Sequence, residues 1–257
     1  MLTASEIESY HEDGYLKVEQ LFTPEETEEL SSEMDRIIDE WGEEQIGWKG
    51  PWRTRYLVDE EQQTTKAVFM HNPHFYSAVW GRVIFHPRLV GAVQDFIGQD
   101  VQWHHTVLHG KPPEKGTPFP MHQDYPFYPH DGLDFVDCLV HLDDAPLESG
   151  ALRVVQGSHK NGPLEHIRGP DTAPHLPTDK YHPDFLPSIS VPAKAGDVIF
   201  FSYCLIHWSG VNRTNEWRRT VRFGYHKPEM RPVGRPPEDV YNNIVAGGFR
   251  ANPAAVG

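Results

Sequence analysis

Residues 196–210 read GDVIFFSYCLIHWSG: a Gly-Asp turn, a run of β-branched and aromatic residues, and then a histidine delivered into a small-residue loop. A run this short, bounded by turn residues and rich in Val, Ile and Phe, reads as a buried β-strand. The same texture recurs on both sides of it. VQWHHTVLHG (101–110), LDFVDCLVHLDD (133–144), GALRVVQGSH (150–159), SISVPAKAG (188–196) and RRTVRFGYH (218–226) are short, alternating or β-branched segments separated by Gly, Pro and Asp clusters. Their number and spacing predict a mainly β fold with flanking α, in which two antiparallel sheets form a jelly-roll core over 99–227.

Upstream of residue 99 the pattern changes to helices. FTPEETEELSSEMDRIIDEWG (22–42) opens with Thr23, Pro24 and Glu26, a capping box with proline at the first helical position, and closes at Gly42. Its apolar face is read as Leu30, Met34, Ile37, Ile38 and Trp41. Shorter helices are predicted over 5–14 and 87–98. Residues 1–98 are thus expected to be helical support, with a Trp-rich connector, WKGPWRTR (48–55), as a lid. Residues 228–257, rich in Pro, Gly and Asn, read as surface coil, so that 1–257 forms one domain.

Lys and Arg number 23 against 37 Asp and Glu, a net charge of −14, and no segment gathers a basic stripe, which argues against nucleic acid and anionic membranes as partners. The same balance disfavours a highly anionic substrate unless a local basic pocket overrides it; Lys49, Arg53 and Arg55 are the candidates. The N-terminal residues lack the basic and then apolar run of a secretory leader, and no apolar stretch is long enough to span a bilayer, so a cytoplasmic protein is expected. Cys138 and Cys204 both fall inside apolar strand-like runs and are read as buried free thiols. Nothing in the pattern speaks to oligomeric state.

The chemistry concentrates at MHQDY, 121–125. In a strand, alternate side chains share a face, so His122 and Asp124 project to one spot and can be two metal ligands. Among sixteen histidines, His207 is the best geometric candidate for the third, because a jelly roll brings distant strand ends to one mouth. Two imidazoles and one carboxylate leave positions open on the metal, the arrangement of non-haem Fe(II) oxygenases. A surface His-Asp pair and a core histidine fit the same residues taken singly. Arg218 and Ser209, following His207, could grip a carboxylate through a bidentate guanidinium and a hydroxyl. His105 and His109 are expected to share one face of their strand, with His104 on the other.

These residues resemble the phytanoyl-CoA dioxygenase family of Fe(II)- and 2-oxoglutarate-dependent oxygenases. The resemblance rests on KPPEKGTPFPMHQDYPFYP (111–129), LESGALRVVQGSHK (147–160), AGDVIFF (195–201) and HWSGVNRTNEWRR (207–219), with YHEDGYLKVEQLFTPEE (10–26) as the family's usual start. It implies a double-stranded β-helix, iron held by His122, Asp124 and His207, and the distal carboxylate of 2-oxoglutarate held by Arg218 and Ser209. Lys111 is read as structural or peripheral. His105 and His109 stand where ectoine hydroxylases carry amides that contact 2-oxoglutarate. The family's PGSH turn reads Gln156-Gly157-Ser158-His159 here, which removes no ligand. Asp124 is intact, whereas related halogenases lack that carboxylate, so the resemblance implies a hydroxylase consuming O2 and releasing succinate and CO2. The aromatics Tyr125, Tyr128 and Trp103, with Arg53 and Arg55, are the candidates for a substrate mouth.

Three functions fit the sequence. A small-molecule hydroxylase uses every residue named. A silent jelly-roll binding protein would tolerate the loss of a ligand, and a cupin-like metal hydrolase would leave Arg218 and Ser209 without work. An acyl-CoA substrate is implied by the family name, yet no basic cluster suits the nucleotide.

Overall fold

The computed structural model describes residues 2–234 and 245–246. In chain order the elements are α1 (Ala4–Asp13), β1 (Tyr15–Val18), α2 (Pro24–Trp41), β2 (Glu44–Gln45), α3 (Arg53–Tyr56), β3 (Ala67–His71), α4 (Ala78–Val83), α5 (Pro87–Ile97) and β4 (Val101–Lys111). There follow β5 (Phe119–His122), β6 (Phe135–His141), β7 (Leu152–Val154), β8 (Ile167–Gly169), β9 (Thr172–His175), β10 (Ile189–Val191), β11 (Val198–Ser202), β12 (His207–Ser209), β13 (Arg218–His226) and β14 (Val245–Ala246).

Two sheets face each other, as the strand texture predicts. The larger runs β1-β11-β6-β13-β4-β3-β2, with β14 also paired to β4, and the smaller runs β10-β7-β12-β5. The pair β14 falls in the stretch read as coil, where two residues find an open strand edge and satisfy their backbone groups on it. The rest of 235–257 lies outside the described residues.

The helices cover the outer face of the larger sheet. Thr23 and Glu26 form the reciprocal capping box of α2, Pro24 opens the helix, and Leu30, Met34 and Ile37 are buried beneath it. Trp41 departs from the expected face. It is 45% exposed and lies against Tyr76, since the helix has run past the edge of the core. A second apolar layer, including Leu139, Leu152, Val154, Ile199 and Phe201, fills the space between the sheets. Cys138 and Cys204 are buried and unpaired.

Strand β4 determines what faces the barrel interior. Its register against β13 pairs Arg218 with Lys111, Thr220 with His109 and Arg222 with Val107, and then slips between Gly224 and Tyr225. His104 is the extra residue in this bulge. The slip corrects two expectations. His104 does not lie opposite His105, since their Nδ1 atoms are 2.8 Å apart and both rings border one cavity. Trp103 is turned outward into the helix-covered core, fully buried, with Nε1 donating to Thr106 Oγ1 at 3.1 Å. Trp103 therefore lines no substrate mouth. Gly224 is required at the bulge: a Cβ there would stand 2.4 Å from the His105 ring.

Candidate metal centre

β12 is paired on one side with β5 and on the other with β7, and in that register His207 lies directly across from His122. Directly opposed residues on one sheet face bring their Cβ atoms to about 5 Å, so the two imidazoles meet by backbone pairing alone. Their ring centroids are 4.1 Å apart. Asp124 arrives differently from the alternation argument. β5 ends at His122, and Asp124 stands at the start of the 3₁₀ turn Tyr125–Phe127 with helical backbone angles. Gln123 pins that corner, its amide donating to Cys204 O at 2.6 Å and to Gly162 O at 2.9 Å.

The three side chains are all buried, and one potential ligand atom from each lies within 4.8 Å of the others. Each histidine is already oriented. His122 Nδ1 lies 2.7 Å from Pro120 O, and His207 Nδ1 lies 3.0 Å from Leu205 O, so both Nδ1 atoms act as donors and each Nε2 presents a lone pair. These Nε2 atoms face Asp124 at 3.6 and 3.9 Å. Burial and His122 push the His207 imidazole down to about 4, which keeps it neutral. Asp124 Oδ1 is buried and has no hydrogen-bond partner. Two imidazole nitrogens and one buried carboxylate gathered at a point make a donor set that fits a divalent cation such as Fe(II).

Asp124 Oδ2 accepts from Arg222, which the sequence reading overlooked. Burial alone would raise this carboxyl, but Arg222, His207 and His122 together hold it well below its usual range. The signal was available: on a strand opened by Arg218, alternation puts Thr220 and Arg222 on the same face.

Beside the metal ligands lies a cleft bordered by Trp48, His109, Phe119, Ser209, Arg218 and Arg222. Arg218 is 3% exposed, its Nε lacks a partner, and among the described residues no carboxylate lies within ion-pair distance of it. Burial brings its guanidinium down to about 10, which leaves it charged at neutral pH. Its neighbour Arg219 shows the contrast, held by both oxygens of Asp143 and by Asp35 and Ser31. Ser209 Oγ accepts from Lys111 Nζ at 2.8 Å. Lys111 is buried rather than peripheral, and burial with Arg218 nearby drives its amine well below its usual pKa.

Of the other expected residues, His109 faces this cleft while His105 does not. His105 borders a second cavity of about 430 Å³, together with Tyr128, Phe127 and Arg222. Tyr128 donates to Asp137 Oδ2 at 2.9 Å. Tyr125 packs against Tyr203 beside this cavity without bordering it. Arg53 is no free basic group. Its guanidinium donates to Gln62 O, Trp48 O and Thr65 Oγ1, at 2.8, 3.0 and 2.5 Å, because the connector around it turns its carbonyls inward. Arg55 is exposed and borders neither cavity. The connector reaches the site instead through Trp48, whose ring stands edge-on to His122 at 4.8 Å.

The family model for phytanoyl-CoA dioxygenase matches residues 10–220. The chain belongs to the phytanoyl-CoA dioxygenase family. A probable α-ketoglutarate-dependent hypophosphite dioxygenase of Stutzerimonas stutzeri is 27% identical over 90% of this chain and 80% of its own length. Peroxisomal phytanoyl-CoA dioxygenase of Rattus norvegicus is 25% identical over 95% of this chain and 75% of its own length. Among solved structures, a non-haem α-ketoglutarate-dependent carbocyclase from nogalamycin biosynthesis superposes with a TM-score of 0.76 over 95% of this chain and 96% of its own, at 19% identity. This member of the family is a non-haem iron, 2-oxoglutarate-dependent dioxygenase with the cupin-like jelly roll. Among its described residues no helix is long and apolar enough to cross a membrane.

Proposed function

We propose that His122, Asp124 and His207 hold the Fe(II), that Arg218 and Ser209 hold the distal carboxylate of 2-oxoglutarate, and that the enzyme hydroxylates an aliphatic C–H bond of a small molecule. The observation that carries this reading is the pairing of two unmet valences across one cleft. A buried carboxylate with one oxygen unpartnered stands against two imidazole nitrogens, and a buried guanidinium, felt by Asp143 only from beyond ion-pair distance, has no carboxylate paired with it among the described residues. A buried charge without a partner costs several kcal/mol, so a fold that keeps one has a ligand for it.

Iron, when bound with 2-oxoglutarate, supplies the activation of O2 that cleaves the co-substrate to succinate and CO2 and oxidises the substrate. The chain's part is positioning. The carbonyls of Pro120 and Leu205 fix the two ligand imidazoles in the tautomer that offers Nε2. Arg222 orients the second oxygen of Asp124. Lys111, by donating to Ser209 Oγ and Gly210 O, holds the serine beside the arginine. His109, neutral by burial, adds a hydrogen-bonding edge to the cleft. Trp48 borders the cleft with its ring edge-on to His122, where it would limit the approach of water. Tyr128, beside the larger cavity, is the substrate-facing aromatic.

The test is turnover with isotopically heavy oxygen gas. A panel of small metabolites should accelerate succinate release, and the product of the responding compound should carry one heavy oxygen atom. Succinate release without oxygen in the product would replace hydroxylation by desaturation, ring closure or epimerisation. No 2-oxoglutarate consumption at all would end the oxygenase reading for this chain.

A further inference from the structure

We infer that Arg222 is the substrate-specificity residue of this enzyme and that it selects small molecules carrying an oxyanion, a carboxylate in the simplest case. This rests on the oxygenase reading above. Arg222 borders both the cleft at the metal ligands and the 430 Å³ cavity next to it, the one described residue common to the two. The cavity is large enough for a metabolite-sized ligand. Its remaining polar lining carries no permanent charge: His71, His104 and His105 are all shifted toward the neutral form, chiefly by burial, and Asn72 and Tyr128 are uncharged. Arg222 is therefore the cation of that lining.

Among the described residues the carboxylate that pairs most closely with Arg222 is Asp124. Asp137 lies near, with Oδ1 3.7 Å from Arg222 Nε, but Nε has no hydrogen-bond partner. Burial pushes the Asp137 carboxyl up to about 8, so at neutral pH it holds its proton and contributes no full charge. Iron binding changes the balance. The two positive charges of Fe(II) are then offset by Asp124 and by the dianionic co-substrate, whose remaining carboxylate charge Arg218 meets. Arg222, whose side chain is 12% exposed, then keeps a positive charge with no full counter-ion at the cavity wall. A monoanion placed in that cavity restores neutrality and accepts the unspent guanidinium donor, while Phe127, Tyr128 and Val107 offer an apolar wall for the rest of the molecule. The local basic pocket that an acidic chain needs for an anionic substrate is thus this arginine, and not the connector residues Lys49, Arg53 and Arg55.

The experiment is equilibrium binding by calorimetry, under nitrogen, to protein loaded with Fe(II) and 2-oxoglutarate. The probes are two matched pairs, phenylacetate with phenylacetamide and hexanoate with hexanamide. The co-substrate already occupies Arg218, so discrimination between acid and amide reports on Arg222. Wild-type protein should bind the acids about tenfold or more tighter than the amides, the range expected for a charge-assisted hydrogen bond. Arg222→Gln should erase the preference, Arg222→Lys should keep part of it, and metal-free wild type should show less of it because the charge of Asp124, not yet offset by a metal, then balances the guanidinium. Equal affinities in the loaded wild type, a preference that survives Arg222→Gln, or binding of neither member of a pair would overturn the assignment. The visible band of the iron and 2-oxoglutarate chelate is recorded on the same wild-type sample. Its absence sinks the oxygenase reading, whereas its presence without acid preference sinks only the role of Arg222.

Discussion

Arg53 in the connector and Arg218 in the cleft are both buried arginines without a carboxylate partner among the described residues, yet they are opposite cases. Arg53 spends its donors on carbonyls of Ile46, Trp48 and Gln62 and on the Thr65 hydroxyl. Arg218 leaves Nε unspent and faces a cleft that also contains two candidate metal ligands. Sequence position alone makes both look like anion-binding groups. What separates them is the accounting of hydrogen bonds: donors satisfied by the chain's own backbone make a structural residue, and unsatisfied buried donors mark a ligand site.

Substitutions at the two sites should therefore fail in different measurements. Arg53→Ala strands several inward carbonyls and opens a void, so it should lower unfolding free energy by about 3–5 kcal/mol, seen as a lower denaturant midpoint. Its affinity for Fe(II) and 2-oxoglutarate, measured below the transition, should stay within about threefold of wild type. A stable Arg53→Ala with weakened co-substrate binding would erase the distinction. Arg218→Ala should do the reverse, weakening 2-oxoglutarate binding roughly a hundredfold, or about 2.7 kcal/mol, with stability unchanged or raised because an uncompensated buried charge is gone.

A smaller effect is set by pH. Asp137 has a folded pKa of about 8, raised first by burial and opposed by Arg222. The native state therefore binds more protons than the unfolded chain, and the associated stability is fully present below pH 4 and is lost as pH rises to about 8. Asp137→Asn, which mimics the protonated acid, should flatten the stability profile of the metal-free protein over that window, by at most about 1.4 kcal/mol per pH unit. An unchanged profile would mean that Asp137 is ionised in the fold.

Much of this site was legible because its residues sit where backbone rules are strong. His207 ends an apolar run, His122 and Asp124 flank one corner, and Arg218 opens a strand, all inside motifs that resemble the family. Trp103 and His104 were misread because a bulge breaks alternation, and nothing local to WHH announces one; Gly224 on the partner strand is the clue, and it is more than a hundred residues away. The connector failed for another reason. Its basic residues look like an anion-binding pocket when only composition is seen, whereas its fold turns carbonyls onto Arg53 and leaves Trp48 as the group that touches His122. Arg222 needed no information beyond the period of the strand, only its application past the first arginine.

The most direct test of the central claim is an anaerobic titration of metal-free protein with Fe(II) and then 2-oxoglutarate, followed by the visible charge-transfer band of the chelate. The band should form in wild-type protein, be absent in His207→Ala, and require far higher 2-oxoglutarate in Arg218→Ala. A band that forms equally in all three, or iron binding without any band in the wild type, would contradict the assignment of these residues to metal and co-substrate.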